Sequence, residues 1–314
     1  MKIVITESLG IPQETLREFQ RPFEEQGAVF ESYDRSEDPA VVADEIRDAD
    51  AVILANMPFP AKAFETAGNL RFIDIAFTGV DHVAVDAARA KGIVMSNASG
   101  YSTEAVAELA AAFALGLARQ IPAAEQRCRA GETKAGLTFT ELKGKTVGIV
   151  GLGKIGSRSA EIFHAFGCEI LSSSRTVHAD CPSWIRQVPL DELLGASDFV
   201  VLHCPLNAET RGMIGERELG LMKKSAFLLN LARGPVVQQD ALAKALRDGV
   251  IAGAGIDVFD TEPPLDKENP LLQAPGVIAT PHMAFATEES MLLRAEIVFD
   301  NLRCWMEGRP ANTI

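Results

Sequence analysis

An arginine, a glutamate and a histidine, each just past an apolar run, are the side chains of this sequence best suited to chemistry. The run 226–230 continues into Leu231-Ala232-Arg233-Gly234. A planar guanidinium holds a carboxylate through two parallel hydrogen bonds and still polarises an adjacent carbonyl, so Arg233 suits an α-keto acid. The run 253–258 leads into Phe259-Asp260-Thr261-Glu262-Pro263-Pro264, where two prolines stiffen the chain behind Glu262. The run 277–280 leads into Pro281 and His282. Reduction of a keto acid leaves an alkoxide that must receive a proton, and an imidazole titrating near neutrality supplies it best. A carboxylate on the second ring nitrogen orients the imidazole and favours its charged form, the part read here for Glu262, while neutral His282 serves as base in oxidation. His82 and His203 also end apolar runs but lack a following proline-locked acid, and His164 and His178 fall in a helix and a loop.

A hydride carrier has a place as well. Residues 145–150 read as a strand, Gly151-Leu152-Gly153-Lys154-Ile155-Gly156 follows, and 155–166 has helical spacing. In that context Gly151 permits a tight turn, Gly153 lets backbone amides approach a pyrophosphate, and Gly156 lets helix and strand pack closely. The helix start offers unpaired N–H groups and a partial positive charge to phosphates. An acid usually ends the next strand and accepts from both ribose hydroxyls. Here the strand ends Ser172-Ser173-Ser174-Arg175-Thr176, and Glu169 lies at its other end. The hydroxyls of Ser174 and Thr176 with the Arg175 guanidinium suit a 2′-phosphate, so NADP(H) is expected over NAD(H). Gly253, Ala254 and Gly255 leave room for a flat ring against the backbone, and Asp257 ends that strand where a nicotinamide would sit.

Parallel sheets flanked by helices must position these groups. Short apolar runs at 3–5, 51–55, 72–76, 93–95, 147–150, 169–171, 199–203, 226–230, 255–258 and 277–280 alternate with helical stretches such as 12–26, 155–166, 240–248 and 288–307. At 314 residues two domains are expected. Turn formers at Asn97-Ala98-Ser99-Gly100 mark one boundary. With the last helix covering the first sheet, the first domain is discontinuous, 1–99 plus 286–314, and 100–285 is the dinucleotide-binding domain.

The charge excludes other classes. Forty-three acidic residues against 30 basic ones give −13, which disfavours nucleic acid and anionic membranes as partners and leaves a small acidic substrate dependent on a local cationic pocket. Five cysteines form no CxxC pair, which suits a reducing cytoplasm, and no metal site is expected. The N-terminus reads as a first strand rather than a signal peptide, and the apolar stretch 105–118 is short of a membrane span.

GLGKIG at 151–156, NLARG at 230–234, GAGIDVFDTEPP at 253–264 and TPH at 280–282 together resemble the D-isomer-specific 2-hydroxyacid dehydrogenases. The resemblance implies an α/β fold of two doubly wound parallel-sheet domains, Rossmann- and flavodoxin-like, with the active site in the cleft, and a homodimer formed mainly through the cofactor domain. It makes Arg233 the substrate-binding and polarising residue, His282 the proton donor and Glu262 its partner. It sets Lys154 and Ile155 against the pyrophosphate, Cys204 beside the adenosine half, and Leu231, Ala232, Arg233, Asp257 and His282 at the nicotinamide. Thr78, Gly79 and Val80 resemble the loop whose backbone amides grip the substrate carboxylate. Phosphoglycerate dehydrogenases of this family carry an arginine after the strand at 51–55, but this chain has Asn56-Met57-Pro58-Phe59 and no appended regulatory domain. Formate dehydrogenases place a glutamine where Glu262 stands. Asn56 and HMAFAT at 282–287 resemble hydroxypyruvate and glyoxylate reductases, with Phe59 and Phe285 available to a side-chain pocket or to the core. Alternatives are another 2-keto acid with NAD(H), or a cofactor-sensing, corepressor-like binding protein. An L-specific lactate or malate dehydrogenase would open with its glycine motif, whereas here about 145 residues precede it.

Overall fold

The computed structural model describes residues 1–314 except His178, Pro263 and Pro264, so the two prolines read as stiffening Glu262 and the loop histidine lie outside the described residues. The chain divides into two compact units, Met1–Ser102 with Ala286–Ile314, and Thr103–Phe285. The first junction therefore falls after Ser102, slightly later than the turn formers at 97–100 suggest.

In the first unit, β1 (Lys2–Ile5), β2 (Val29–Ser32), β3 (Ala51–Leu54), β4 (Phe72–Ile75) and β5 (Val94–Asn97) form a parallel sheet in the order β2-β1-β3-β4-β5. Strands β3 and β4 are buried at every position, as central strands of a sheet covered on both faces must be, which makes β3 a continuous apolar run and β4 one apart from Asp74. The terminal helix Glu288–Met306 covers one face: Phe299 stacks on Phe19 of helix Gln13–Glu24 at 5.2 Å, and Trp305 stacks on Phe72 at 4.8 Å. Thr287 caps that helix by accepting from the Ser290 N–H at 3.1 Å. Asp74 interrupts the apolar run of β4 and is fully buried, accepting from Asn301 Nδ2 at 3.1 Å. Burial holds its carboxyl well above the usual carboxylate range.

The second unit carries β6 (Thr146–Val150), β7 (Glu169–Ser173), β8 (Ile185–Gln187), β9 (Phe199–Leu202), β10 (Phe227–Asn230), β11 (Gly253–Ile256) and β12 (Val277–Ala279). They form one parallel sheet, ordered β12-β11-β10-β9-β6-β7-β8, so the direction of winding reverses between β6 and β9. Alternation along β9 serves two cores: Val200 and Leu202 join Leu228, Ile256, Leu242 and Leu246, while Phe199 and Val201 join Ile149, Leu229, Phe113 and Phe163. Among the described residues, no single helix is long and apolar enough to cross a membrane.

Candidate active site

The reversal between β6 and β9 is where an open parallel sheet leaves a crevice at its carboxyl edge, and the glycine motif lies there. Gly151 has φ +96°, and a Cβ on it would stand 2.7 Å from the Cys204 amide nitrogen, so conformation and space both demand glycine. A Cβ at Gly156 would stand 2.0 Å from the Gly151 carbonyl oxygen, which fixes helix Lys154–Ala165 against its strand. At Gly153 the same Cβ would meet no protein atom within 4 Å. The one motif glycine not required by protein packing is thus the exposed residue that caps the helix, where helix-terminal backbone N–H groups can take an anion. Lys154 is exposed and Ile155 half-buried at the helix start.

His203, at the end of β9, sits 2.8 Å through Nε2 from the Ser159 hydroxyl of the same helix, and burial lowers its pKa to about 4. Uncharged His203 therefore ties the cradle helix to the neighbouring strand, a role absent from the sequence reading. Cys204 is buried, with Sγ 3.9 Å from Met213 Sδ and its thiol pushed up to about 11 by burial. Past β7, Ser174 Oγ donates to the Thr176 carbonyl at 2.7 Å. Arg175 is exposed beside Glu209, 3.5 Å away.

Three adjacent strands lead into the groups expected at the reaction centre. Arg233 lies three residues beyond β10, Asp257 directly follows β11, and His282 lies three beyond β12. Buried Asn230 shapes the first loop: its Oδ1 accepts the Ala232 N–H at 3.1 Å and its Nδ2 donates to the Arg233 carbonyl at 3.0 Å. Leu231 and Ala232 are buried, whereas Arg233 stays half-buried, its Nη1 donating to the Ala232 carbonyl at 2.9 Å. A Cβ on Gly234 would stand 2.0 Å from the Phe259 carbonyl carbon. Only glycine therefore lets the arginine loop lie directly on the loop that carries Glu262.

Glu262 uses its two oxygens separately. Oε2 accepts the Phe259 N–H at 3.0 Å, and Oε1 lies 2.7 Å from His282 Nδ1, with both side chains about one-fifth exposed. The carboxylate fixes the ring and makes Nδ1 the protonated nitrogen, which leaves Nε2 to exchange a proton with a substrate oxygen. His282 adopts φ +51°, uncommon for a residue with a Cβ. Asp257 holds that conformation. Its carbonyl accepts the His282 N–H at 2.8 Å, its Oδ1 accepts from the Thr280 hydroxyl at 2.6 Å and the Met283 N–H at 2.9 Å, and its Oδ2 accepts the Ala284 N–H at 3.0 Å. With Asp257 only 1% exposed, burial raises its pKa while these donors oppose the rise. Expected at a nicotinamide, Asp257 has both carboxylate oxygens committed to the turn that bears His282. Phe285 meets the His282 ring edge-on at 5.5 Å.

In the first unit, Phe59 stacks on Phe64 at 5.3 Å with no exposure, which makes it core rather than a pocket wall. Asn56 is half-buried past β3 and its Oδ1 accepts from Arg35 Nη1 at 2.8 Å. Thr78, Gly79 and Val80 follow β4 as a half-buried loop anchored by Asn97 Nδ2, which donates to the Thr78 carbonyl at 2.8 Å. Among the described residues no group of three or more His, Cys, Asp or Glu side chains is arranged to hold a metal.

Comparison with known proteins agrees with this fold. The model of the NAD-binding domain of D-isomer-specific 2-hydroxyacid dehydrogenases matches residues 111–284. A glyoxylate reductase of Korarchaeum cryptofilum is 39% identical over 283 residues, 87% of this chain and 85% of the relative. A hydroxypyruvate reductase of Blautia hydrogenotrophica is 35% identical over 296 residues, 90% of each. The crystal structure of D-lactate dehydrogenase from Aquifex aeolicus, complexed with NAD and lactic acid, superposes with a TM-score of 0.88 at 28% identity, over 98% of this chain and 96% of that one. The chain belongs to the D-isomer-specific 2-hydroxyacid dehydrogenase family, and its second unit carries that family's NAD-binding domain.

Proposed function

We propose that this protein reduces hydroxypyruvate or glyoxylate to the corresponding 2-hydroxy acid, taking NADPH in preference to NADH. The observation that carries the reading is the 2.7 Å contact between Glu262 Oε1 and His282 Nδ1 at the edge of a dinucleotide-binding sheet. When bound, the reduced nicotinamide supplies the hydride. Arg233 holds the substrate carboxylate and polarises the carbonyl, and His282 Nε2 gives its proton to the oxygen that gains charge, with Glu262 orienting the ring through Nδ1. Asn56 and the Thr78–Val80 loop contribute the substrate contacts of the first unit.

The choice of substrate is supported by the names of the two relatives above and by Asn56 standing where a phosphate-binding arginine would be needed for phosphoglycerate. NADPH preference is supported by the missing acid at the end of β7 and by the exposure of Arg175. A 2′-phosphate offers that guanidinium a better partner than Glu209 does. A homodimer in the cytoplasm belongs to the same reading, by family resemblance and by cysteines left unpaired.

Steady-state assays of glyoxylate, hydroxypyruvate, pyruvate and 2-ketoisocaproate with each cofactor test it. Highest kcat/KM for one of the first two acids with NADPH is expected. Cofactor binding without turnover of any acid would replace an enzyme with a sensor, and preference for NADH would remove the part given to Arg175.

A further inference from the structure

The carboxyl edge of the first sheet carries a polar chain that the reading above leaves unused. Glu7, two residues past β1 and only 5% exposed, accepts through Oε1 from the backbone N–H groups of Ala55 at 2.7 Å and Met57 at 2.9 Å. These are the two neighbours of Asn56. Its other oxygen, Oε2, accepts at 3.1 Å from Nη1 of Arg35, which lies past β2. The same Nη1 donates to Asn56 Oδ1 at 2.8 Å. One buried carboxylate therefore holds the backbone on both sides of Asn56 and aims the cation that grips its side chain. Arg35 is partly open to solvent, with 29% of its side chain exposed, and Nη2 leans 3.4 Å away on exposed Glu37.

This arrangement decides which end of the amide faces outward. A guanidinium only donates, so it takes the Asn56 oxygen and leaves the NH2 group as the functional end. Among the described residues the bond from Arg35 is the only hydrogen bond of the Asn56 side chain, and Nδ2 is not among the buried atoms. The position lies at the carboxyl edge of a doubly wound sheet, one strand from the Thr78 loop, where such sheets bind their ligands. An outward donor there rewards an oxygen on the ligand and gives nothing to a hydrogen or a methyl group.

We propose that Glu7 and Arg35 are positioning residues that fix the Asn56 amide as a hydrogen-bond donor, and that this donor selects 2-keto acids bearing an oxygen on carbon 3 over those without one. The proposal rests on the keto-acid reductase reading and goes beyond it by ranking hydroxypyruvate above glyoxylate, which has no carbon 3. A site built around a committed donor discriminates against ligands that leave it unpaired.

The test is steady-state kinetics of the full-length protein with hydroxypyruvate and glyoxylate, using wild type, Arg35→Met, Arg35→Lys and Glu7→Gln, with thermal melting of each. Arg35→Met should lower kcat/KM for hydroxypyruvate roughly tenfold, mainly through KM, while glyoxylate changes by less than about threefold. Arg35→Lys, which keeps a cationic donor, should restore part of the loss. Glu7→Gln still accepts from Ala55 and Met57 and should shift the ratio in the same direction by less. Should Arg35→Met fail to fold, the other two variants carry the comparison. Equal losses on both acids would reduce the chain of contacts to a structural clamp and overturn the proposal, as would an unchanged ratio or a wild type that turns over glyoxylate but not hydroxypyruvate. Those results leave the reductase reading intact, whereas a wild type inert toward every keto acid with either cofactor overturns both.

Discussion

The two sheets meet solvent at their carboxyl edges in different ways. At the edge of the first sheet, side chains reach sideways from strand to strand: Arg35 past β2, Glu7 past β1, Asn56 past β3, and Asn97 of β5 to the loop after β4. At the edge of the second, closeness comes from missing side chains, because Gly151, Gly156 and Gly234 bring backbone against backbone. The two edges suit different ligands. An edge knit by polar side chains presents oriented hydrogen-bonding groups and sorts small polar molecules. An edge closed by glycines presents backbone N–H groups and flat surface, which suits phosphate and a ring.

The largest expected effect is on the second edge. His282→Ala removes the proposed proton donor and should lower kcat by roughly 100- to 10,000-fold, with cofactor affinity near normal, measured by stopped-flow and by fluorescence titration of the reduced nicotinamide. Retention of most turnover would move the acid elsewhere.

Two buried aspartates sharpen the comparison further. Asp257 serves three donors, whereas Asp74 accepts a single hydrogen bond from Asn301. Asp257→Ala strands the Thr280 hydroxyl and two backbone N–H groups, so it should destabilise the second unit by about 2–4 kcal/mol and lower kcat as the turn under His282 relaxes. Denaturant melts combined with kinetics check this, and full stability would show that the turn holds itself.

Asp74 gives the smallest effect, with the opposite sign. Its carboxyl titrates higher in the folded than in the unfolded chain, so its contribution is fully present below the unfolded value of 3.8 and is lost as pH rises toward the folded value. Asp74→Asn keeps an oxygen for Asn301 and should raise the neutral-pH melting temperature by about 2–4 °C, with the gain vanishing near pH 4. A variant that melts lower than wild type at pH 7 would assign the carboxylate a partner beyond Asn301.

Much of this architecture was legible because interior strands of a covered parallel sheet are apolar throughout, as in β3 and β9, or nearly so, as in β4. The strands that escaped reading, β2 and β8, lie at sheet edges, and their mixed sequences Val-Phe-Glu-Ser and Ile-Arg-Gln carry no such run. With β2 unseen, Arg35 had no strand end to follow, and the Glu7–Arg35–Asn56 chain stayed hidden. The histidine, glutamate and arginine could be picked out since each follows a legible strand and has a side chain with few other uses. Asp257 was placed correctly past its strand, yet its commitment to the 280–284 turn depends on donors 23 to 27 residues downstream, beyond what local pattern reveals.

Gly234 couples two segments of the second unit. Because its backbone rests on Phe259 without an intervening Cβ, the arginine segment and the acid segment share a close-packed backbone seam. An attempt to shift one of them will drag the other along, so altered selectivity is better sought outside that seam, at the Asn56 amide that Glu7 and Arg35 hold within the first unit.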